Sequence, residues 1–422
     1  MYDFDKITNR RNSGCYKWDE AGMDDIIPMW VADMDFQTAP CIIEALQKRV
    51  AHGVFGYTLV PDAYYEAVIN WFQRRYSWVI QRDWIQYTSG VVPAISVIIK
   101  AMCEPGDKVI VQTPVYNCFF SSIRNNGCEV LNAPLIRRSV ASSALAPDAS
   151  AGGSVADATI PDACPSGTCS SSGPLFTYEM DFVALETQAS DPKAKLLILC
   201  NPHNPAGRVW TKEELLRVND ICLRHGVLVV SDEIHNELCL DGRKYVPFAS
   251  VSEDCQRNSI TCTSPSKSFN TAGLQIANII CSDASIREKI DRAININEVC
   301  DVNPFGVAGL MAAYNEGEEW LTDLCAYLTE NYKALRAFFA DNLPQLPISH
   351  LEGTYLVWVD VSSLEMDADT LVERLLHEAK VQLNSGTMYD PVDGKNFVRM
   401  NIACPRQQMM EGLRRISPLL LP

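Results

Sequence analysis

The 422-residue chain sets 36 Lys and Arg against 52 Asp and Glu, a formal net charge of −16, and is 47% hydrophobic and 21% charged. These figures exclude a peptide, a lone binding module and wholesale disorder, and they allow two or three domains or one large α/β domain with an appendage. An acidic chain repels nucleic-acid phosphates and anionic lipid, so neither nucleic acid nor membrane is expected as a partner.

Apolar runs such as Leu196-Leu197-Ile198-Leu199-Cys200 are far too short to cross a bilayer, and the opening Met1-Tyr2-Asp3-Phe4-Asp5 has no export pattern. A soluble, cytoplasmic protein is expected. The 16 cysteines are scattered with no C-x-x-C and no histidine at zinc-ligand spacing, which reads as reduced thiols and no metal site.

In chain order, a helix is predicted over 92–102, a strand over 108–113, a helix over 116–126 and a strand over 129–133. Residues 139–177 then break the composition: they hold no Lys or Arg and are largely Ser, Ala, Gly and Pro. Such a stretch cannot offset its ordering entropy, so a flexible surface insertion is expected. Alternation resumes with strands over 196–200, 227–231, 259–263 and 277–281. Between the first two lies a helix over 212–225, where Thr211 and Glu214 form a capping box. The strands are nearly continuous apolar runs, as a sheet buried on both faces requires.

After about residue 283 the texture changes. Helices over 285–297 and 318–341 lead to a strand over 355–361, a helix over 370–379, a strand over 397–402 and a last helix. The expected fold is α/β: a large domain on a mainly parallel sheet over 46–290, and a smaller α+β domain over 291–422. Residues 1–45 form an N-terminal arm and part of the small domain.

No G-x-G-x-x-G, P-loop, H-E-x-x-H or G-x-S-x-G occurs. Four segments instead fall where predicted strands end, the crevice in which open sheets bind ligands. Ser264-Pro265-Ser266-Lys267-Ser268 sets an amine among hydroxyls. A lysine desolvated there loses its proton and can form a Schiff base; an ordinary surface lysine, or the S-x-x-K of acyl-serine enzymes without its partner motifs, are the competing readings. Val230-Ser231-Asp232-Glu233-Ile234-His235 ends a strand in acids, one of which could hold a pyridine nitrogen protonated or merely cap a helix. Asn201-Pro202-His203-Asn204-Pro205-Ala206-Gly207 is a rigid turn that can present a side-chain amide. Thr88-Ser89-Gly90-Val91-Val92 opens a helix with free amides suited to a phosphate.

Taken together, in this order, these segments resemble the fold-type I pyridoxal-phosphate enzymes, the aspartate aminotransferase superfamily. Pro28-Met29-Trp30-Val31-Ala32-Asp33-Met34-Asp35-Phe36 and His52-Gly53-Val54-Phe55-Gly56-Tyr57 narrow the likeness to the cystathionine β-lyase, or C–S lyase, branch of PatB or MalY type. The resemblance implies a seven-stranded-type sheet and pyridoxal 5'-phosphate as cofactor. It implies that Lys267 carries the cofactor, Asp232 pairs with its ring nitrogen, Asn204 binds its phenolic oxygen, Tyr116 stacks on the ring and His235 lies beside it. Phosphate ligands would be the amides of Val91 and Val92, the hydroxyls of Ser264 and Ser266, and Tyr57 from a neighbouring subunit, hence a homodimer with shared sites. Arg399, with Ala32, would bind the amino-acid substrate by its α-carboxylate.

Two positions depart from the aminotransferase pattern: His235 stands where a tyrosine is common, and Gln275 where a phosphate-binding arginine is common. Both suit the lyase branch. The resemblance therefore implies α,β-elimination from L-cystathionine or another S-substituted L-cysteine, giving a thiol, pyruvate and ammonia. Rival readings are an aminotransferase of class I/II, a non-catalytic binding protein on the same scaffold, and the acyl-serine hydrolase.

Overall fold

In the computed structural model of the chain, residues 2–140, 173–296, 298 and 301–421 are described. Two sheets organise them. The larger has seven strands in the order β2-β10-β9-β8-β7-β3-β4, with β2 Ile85–Thr88, β3 Lys108–Val111, β4 Glu129–Asn132, β7 Ala194–Cys200, β8 Leu228–Asp232, β9 Ser259–Thr263 and β10 Ala277–Ile280. All neighbours are parallel except β10, which runs antiparallel to both β2 and β9. β9 and β10 are buried along their whole length and β7 nearly so, as a sheet covered on both faces requires, and in β9 even Ser259, Thr261 and Thr263 are buried.

Local chemistry sets the helices that flank this sheet. The helix Lys212–His225 begins in the expected capping box: the Thr211 hydroxyl accepts from Glu214 N, and Glu214 accepts from Thr211 N. It ends at Gly226 in the left-handed region, the conformation glycine adopts without steric cost.

The second sheet has six strands in the order β14-β15-β12-β11-β6-β5: β5 Ile136–Val140, β6 Leu175–Glu179, β11 Ile348–Ser349, β12 Leu356–Asp360, β14 Asn384–Ser385 and β15 Phe397–Asn401. A short parallel pair, β1 Ile27–Pro28 with β13 Val381–Gln382, ties the N-terminal segment beside it.

Here the expectation of one flexible insertion over 139–177 is corrected at both ends. Ser139 and Val140 pair with Phe176 and Leu175 in the β5–β6 ladder, and β6 continues the sheet by pairing with β11. The reason is burial. Leu175 and Phe176 are in the core, the Arg137 guanidinium lies 4.3 Å from the Phe176 ring centroid, and Arg137 pairs with Asp360 at 2.5 Å. The stretch 141–172 lies outside the described residues. Among the described residues, no helix is long and apolar enough to cross a membrane, and no cluster of His, Cys, Asp and Glu could hold a metal.

Candidate active site

The site lies at the carboxyl ends of the large sheet's strands, where apolar runs give way to polar residues. β8 ends in Ser231 and Asp232. Asp232 is buried, and its carboxyl accepts one hydrogen bond, from Ile234 N at 3.1 Å; among the described residues no second donor reaches it. Burial pushes its pKa up to about 7, against the lowering influences of that hydrogen bond and of the Lys267 charge. Its neighbour Glu233 has a different task. That carboxylate accepts from Ser231 Oγ at 2.7 Å, from Phe248 N at 2.9 Å and from the Tyr245 hydroxyl, so it ties the strand end to the following loop.

Lys267 stands in the turn after β9, on a cavity that Asp232 also lines. Burial lowers its pKa to about 8; the Asp33 and Asp232 charges oppose that shift and the Arg399 charge adds to it. The amine donates to the Ala32 carbonyl at 2.6 Å.

Tyr116, Asn204, His235 and Ala32 line the same cavity, as do Val91, Val92, Ser264 and Ser266. The helix Val91–Met102 starts after Gly90 with no side-chain cap. Its first-turn amides therefore need a partner, and those of Val91 and Val92 belong to residues on the cavity wall. Ser264 is buried on that wall. Its hydroxyl donates to Ile276 O at 2.7 Å and accepts from Ser266 N at 3.1 Å, because a hydroxyl this buried must satisfy itself within the protein. It braces the turn from the cavity wall, which Ser266 also lines.

The Asn201–Gly207 turn holds Asn204 through close packing. Gly207 has φ +74, and a Cβ there would meet Leu351 Cδ1 at 2.6 Å, so only glycine fits. His203, inside the same turn, is buried with neither ring nitrogen hydrogen-bonded, and burial lowers its pKa to about 3. His235 is buried with Nδ1 unpartnered, and burial first, then the Lys267 and Arg399 charges, hold its pKa well below the usual range; it is neutral.

Arg399 comes from the other sheet, at the centre of β15. Its guanidinium donates to Asn204 Oδ1 at 3.1 Å and Trp30 O at 2.8 Å and lies 4.6 Å from the Tyr389 ring centroid, while Nε is buried without a partner. A single chain does not bring in Tyr57, which is 97% exposed and outside the cavity.

Three residues assigned no role from the sequence belong to this arrangement. Gln275, noted only as a departure, lines the cavity in the left-handed region at φ +51. Tyr389, beneath Arg399, carries no local signal. Tyr355 reads as the start of a core strand, yet its hydroxyl donates to Ala32 O at 3.0 Å.

Known proteins are similar to this chain over its whole length. The aminotransferase class I and II family model matches residues 24–140 and 168–416, so its gap falls within the expected insertion. Cystathionine β-lyase PatB of Bacillus subtilis is 39% identical over 99% of this chain and 100% of its own; protein MalY of Escherichia coli is 31% identical over 98% and 97%. Among solved structures, cystalysin of Treponema denticola, which contains pyridoxal 5'-phosphate, superposes with a TM-score of 0.88 at 32% identity over 100% of this chain and 99% of its own. A PLP-bound C-S lyase of Staphylococcus hominis gives 0.84 at 30% identity over 99% of each chain. On the family match over most of its length and on these full-length likenesses, the chain is a member of the class I and II aminotransferase family.

Proposed function

We propose that the cavity holds pyridoxal 5'-phosphate and that the protein is a carbon–sulfur β-lyase, converting L-cystathionine or another S-substituted L-cysteine to a thiol, pyruvate and ammonia. The observation that carries this reading is one cavity lined by a buried amine lowered to about 8 and a buried carboxyl raised to about 7. The names and full-length similarity of PatB, cystalysin and the C-S lyase support it.

The residues suit this cofactor. Asp232, buried with a single hydrogen bond, lacks the positive partner that a protonated ring nitrogen would supply. Lys267 would hold the aldehyde, Asn204 Nδ2 the phenolic oxygen, and Tyr116 the ring face. The uncapped amides of Val91 and Val92, with the hydroxyls of Ser264 and Ser266, would take the phosphate. When bound, the cofactor accepts the electron pair left at the substrate α-carbon.

Everything else falls to the chain. Arg399 binds the α-carboxylate, for which its buried and unpartnered Nε is an open donor. An amine with a pKa of about 8 is neutral in a useful fraction near neutral pH, so Lys267 can take the α-proton as general base. Neutral His235 adds no competing positive charge beside Asp232.

A homodimer belongs to this reading, with Tyr57 reaching the partner's phosphate site. The neighbours Val54, Phe55 and Leu59 are also exposed, at 63%, 55% and 88%, an apolar surface suited to a second copy. The unpaired cysteines among the described residues support a cytoplasmic setting.

The test is an absorbance spectrum of the purified protein with and without L-cystathionine, coupled to pyruvate detection. A yellow protein that releases pyruvate and ammonia is expected. A colourless protein unable to take up the cofactor overturns the reading, and one that only exchanges amino groups with 2-oxo acids replaces it with an aminotransferase.

A further inference from the structure

Lys267 and Arg399 reach the site from different sheets, and no hydrogen bond joins them. Both are tied to one short loop instead. Four consecutive carbonyls there, from Trp30 to Asp33, each accept a side chain. Trp30 O accepts Arg399 Nη2 at 2.8 Å and Asn384 Nδ2 at 3.0 Å. Ala32 O accepts Lys267 Nζ at 2.6 Å and the Tyr355 hydroxyl at 3.0 Å. Between and beyond them, Asn401 Nδ2 donates to Val31 O at 2.6 Å and Asp33 O at 2.7 Å. Irregular backbone usually leaves such carbonyls to water.

The far end of the loop is pinned by charge. Arg10 pairs with Asp33 at 2.6 Å and with Asp35 at 2.7 Å, and the buried Lys17 pairs with Asp35 at 3.1 Å. Covalent geometry limits two carbonyls two residues apart to a span of roughly 7 Å. A substrate's α-hydrogen and carboxylate sit on adjacent carbons, so the base and the clamp that serve them need a short, fixed separation.

We propose that the Trp30 and Ala32 carbonyls form a gauge that sets the Lys267 amine, whenever it carries no covalent partner, against the Arg399 guanidinium, with Tyr355 and Lys17 as positioning residues. The inference rests on the reading of Lys267 and Arg399 given above. Tyr355 is fully buried and its ring packs edge-on to His235 at 5.9 Å. Tyr355→Phe therefore keeps the packing and removes only the second donor that holds the Ala32 carbonyl still. Lys17→Met keeps the apolar stem and removes the charge that anchors the loop's end.

Two measurements on Tyr355→Phe test the gauge. In the holoenzyme, kcat is expected to fall about tenfold with KM within about twofold of wild type, and the isotope effect on an α-deuterated substrate is expected to rise, because proton removal is the step that loses alignment. In the cofactor-free full chain, covalent labelling of Lys267 by trinitrobenzenesulfonate is expected to become several-fold faster relative to the other lysines, as the amine's tether loosens. Lys17→Met should move both readouts the same way, and Lys17→Arg should restore them; this pair carries the test if Tyr355→Phe fails to fold. An unchanged isotope effect with unchanged labelling overturns the proposal, as does a parallel change in kcat and KM with the isotope effect unmoved. Failure of the wild-type protein to eliminate would sink the lyase reading instead, while the labelling result on cofactor-free protein would still decide the gauge.

Discussion

Two buried aspartates, Asp35 in the N-terminal segment and Asp232 at the end of β8, show how the molecule separates holding from doing. Burial pushes both pKa values up. At Asp35 the Lys17 charge, the Trp18 indole N–H and the Arg10 charge outweigh burial, and the net shift is downward. Its oxygens accept from Lys17 Nζ at 3.1 Å, Trp18 Nε1 at 2.8 Å, Arg10 Nη1 at 2.7 Å and Gln408 Nε2 at 2.9 Å. At Asp232 one backbone amide is all that opposes burial by hydrogen bonding, and the pKa stands at about 7. A satisfied carboxylate stabilises the fold, whereas one left short of partners is poised for a ligand.

Activity is most sensitive at the amine that faces Asp232 across the cavity. Lys267→Ala should lower pyruvate formation by at least ~10³-fold and abolish the yellow colour, read by a coupled assay and an absorbance spectrum. A variant that kept full turnover would refute the role of this amine. In the N-terminal segment, Asp35→Asn leaves Lys17 without its buried counter-charge and should cost about 3–5 kcal/mol in denaturant unfolding at pH 7. Because the folded pKa of Asp35 is depressed, its contribution is present above the unfolded value near ~4 and is lost as pH falls through the folded pKa.

The opposite sign is expected at Asp232. Its folded pKa of about 7 lies above the unfolded value of 3.8, so between those values the folded cofactor-free chain binds more protons than the unfolded one, and stability falls as pH rises. Asp232→Asn should therefore stabilise the cofactor-free protein at pH 8 by about 2–4 kcal/mol, have little effect at pH 4, and still impair turnover in the holoenzyme. Urea titrations at the two pH values would show it, and equal destabilisation at both would remove the contrast between the two acids. The smallest effect sharpens the structural side: Trp18→Phe removes one of the four donors to Asp35 and should cost about 1.5–3 kcal/mol by thermal or urea unfolding, with kcat per folded molecule close to wild type.

The local features of this fold were legible because they are local. A continuous apolar run marks β7, the capping box marks the helix Lys212–His225 to the residue, and the motifs at strand ends single out Lys267, Asp232 and Asn204. The β5–β6 hairpin was not legible. Its strands flank a long Ser- and Ala-rich stretch, and their pairing depends on Leu175 and Phe176 finding a core supplied by residues near 348 and 397. The contact of Ser264 was hidden for a related reason: the motif shows a hydroxyl, but only packing brings Ile276 O within its reach.

The sequence by itself thus determined the element types, the family resemblance and the chemical inventory at the mouth of the sheet, since these rest on periodicity, turn chemistry and residue identity. Tertiary structure alone decided which of those groups remain unsatisfied. Hydrogen-bond partners distant along the chain, Ala32 with Lys267 and Tyr355, Asn204 with Arg399, Asp35 with Lys17 and Gln408, meet only when two sheets and an N-terminal segment close around one cavity. Burial then sets what each charge costs, and no spacing along a chain records burial.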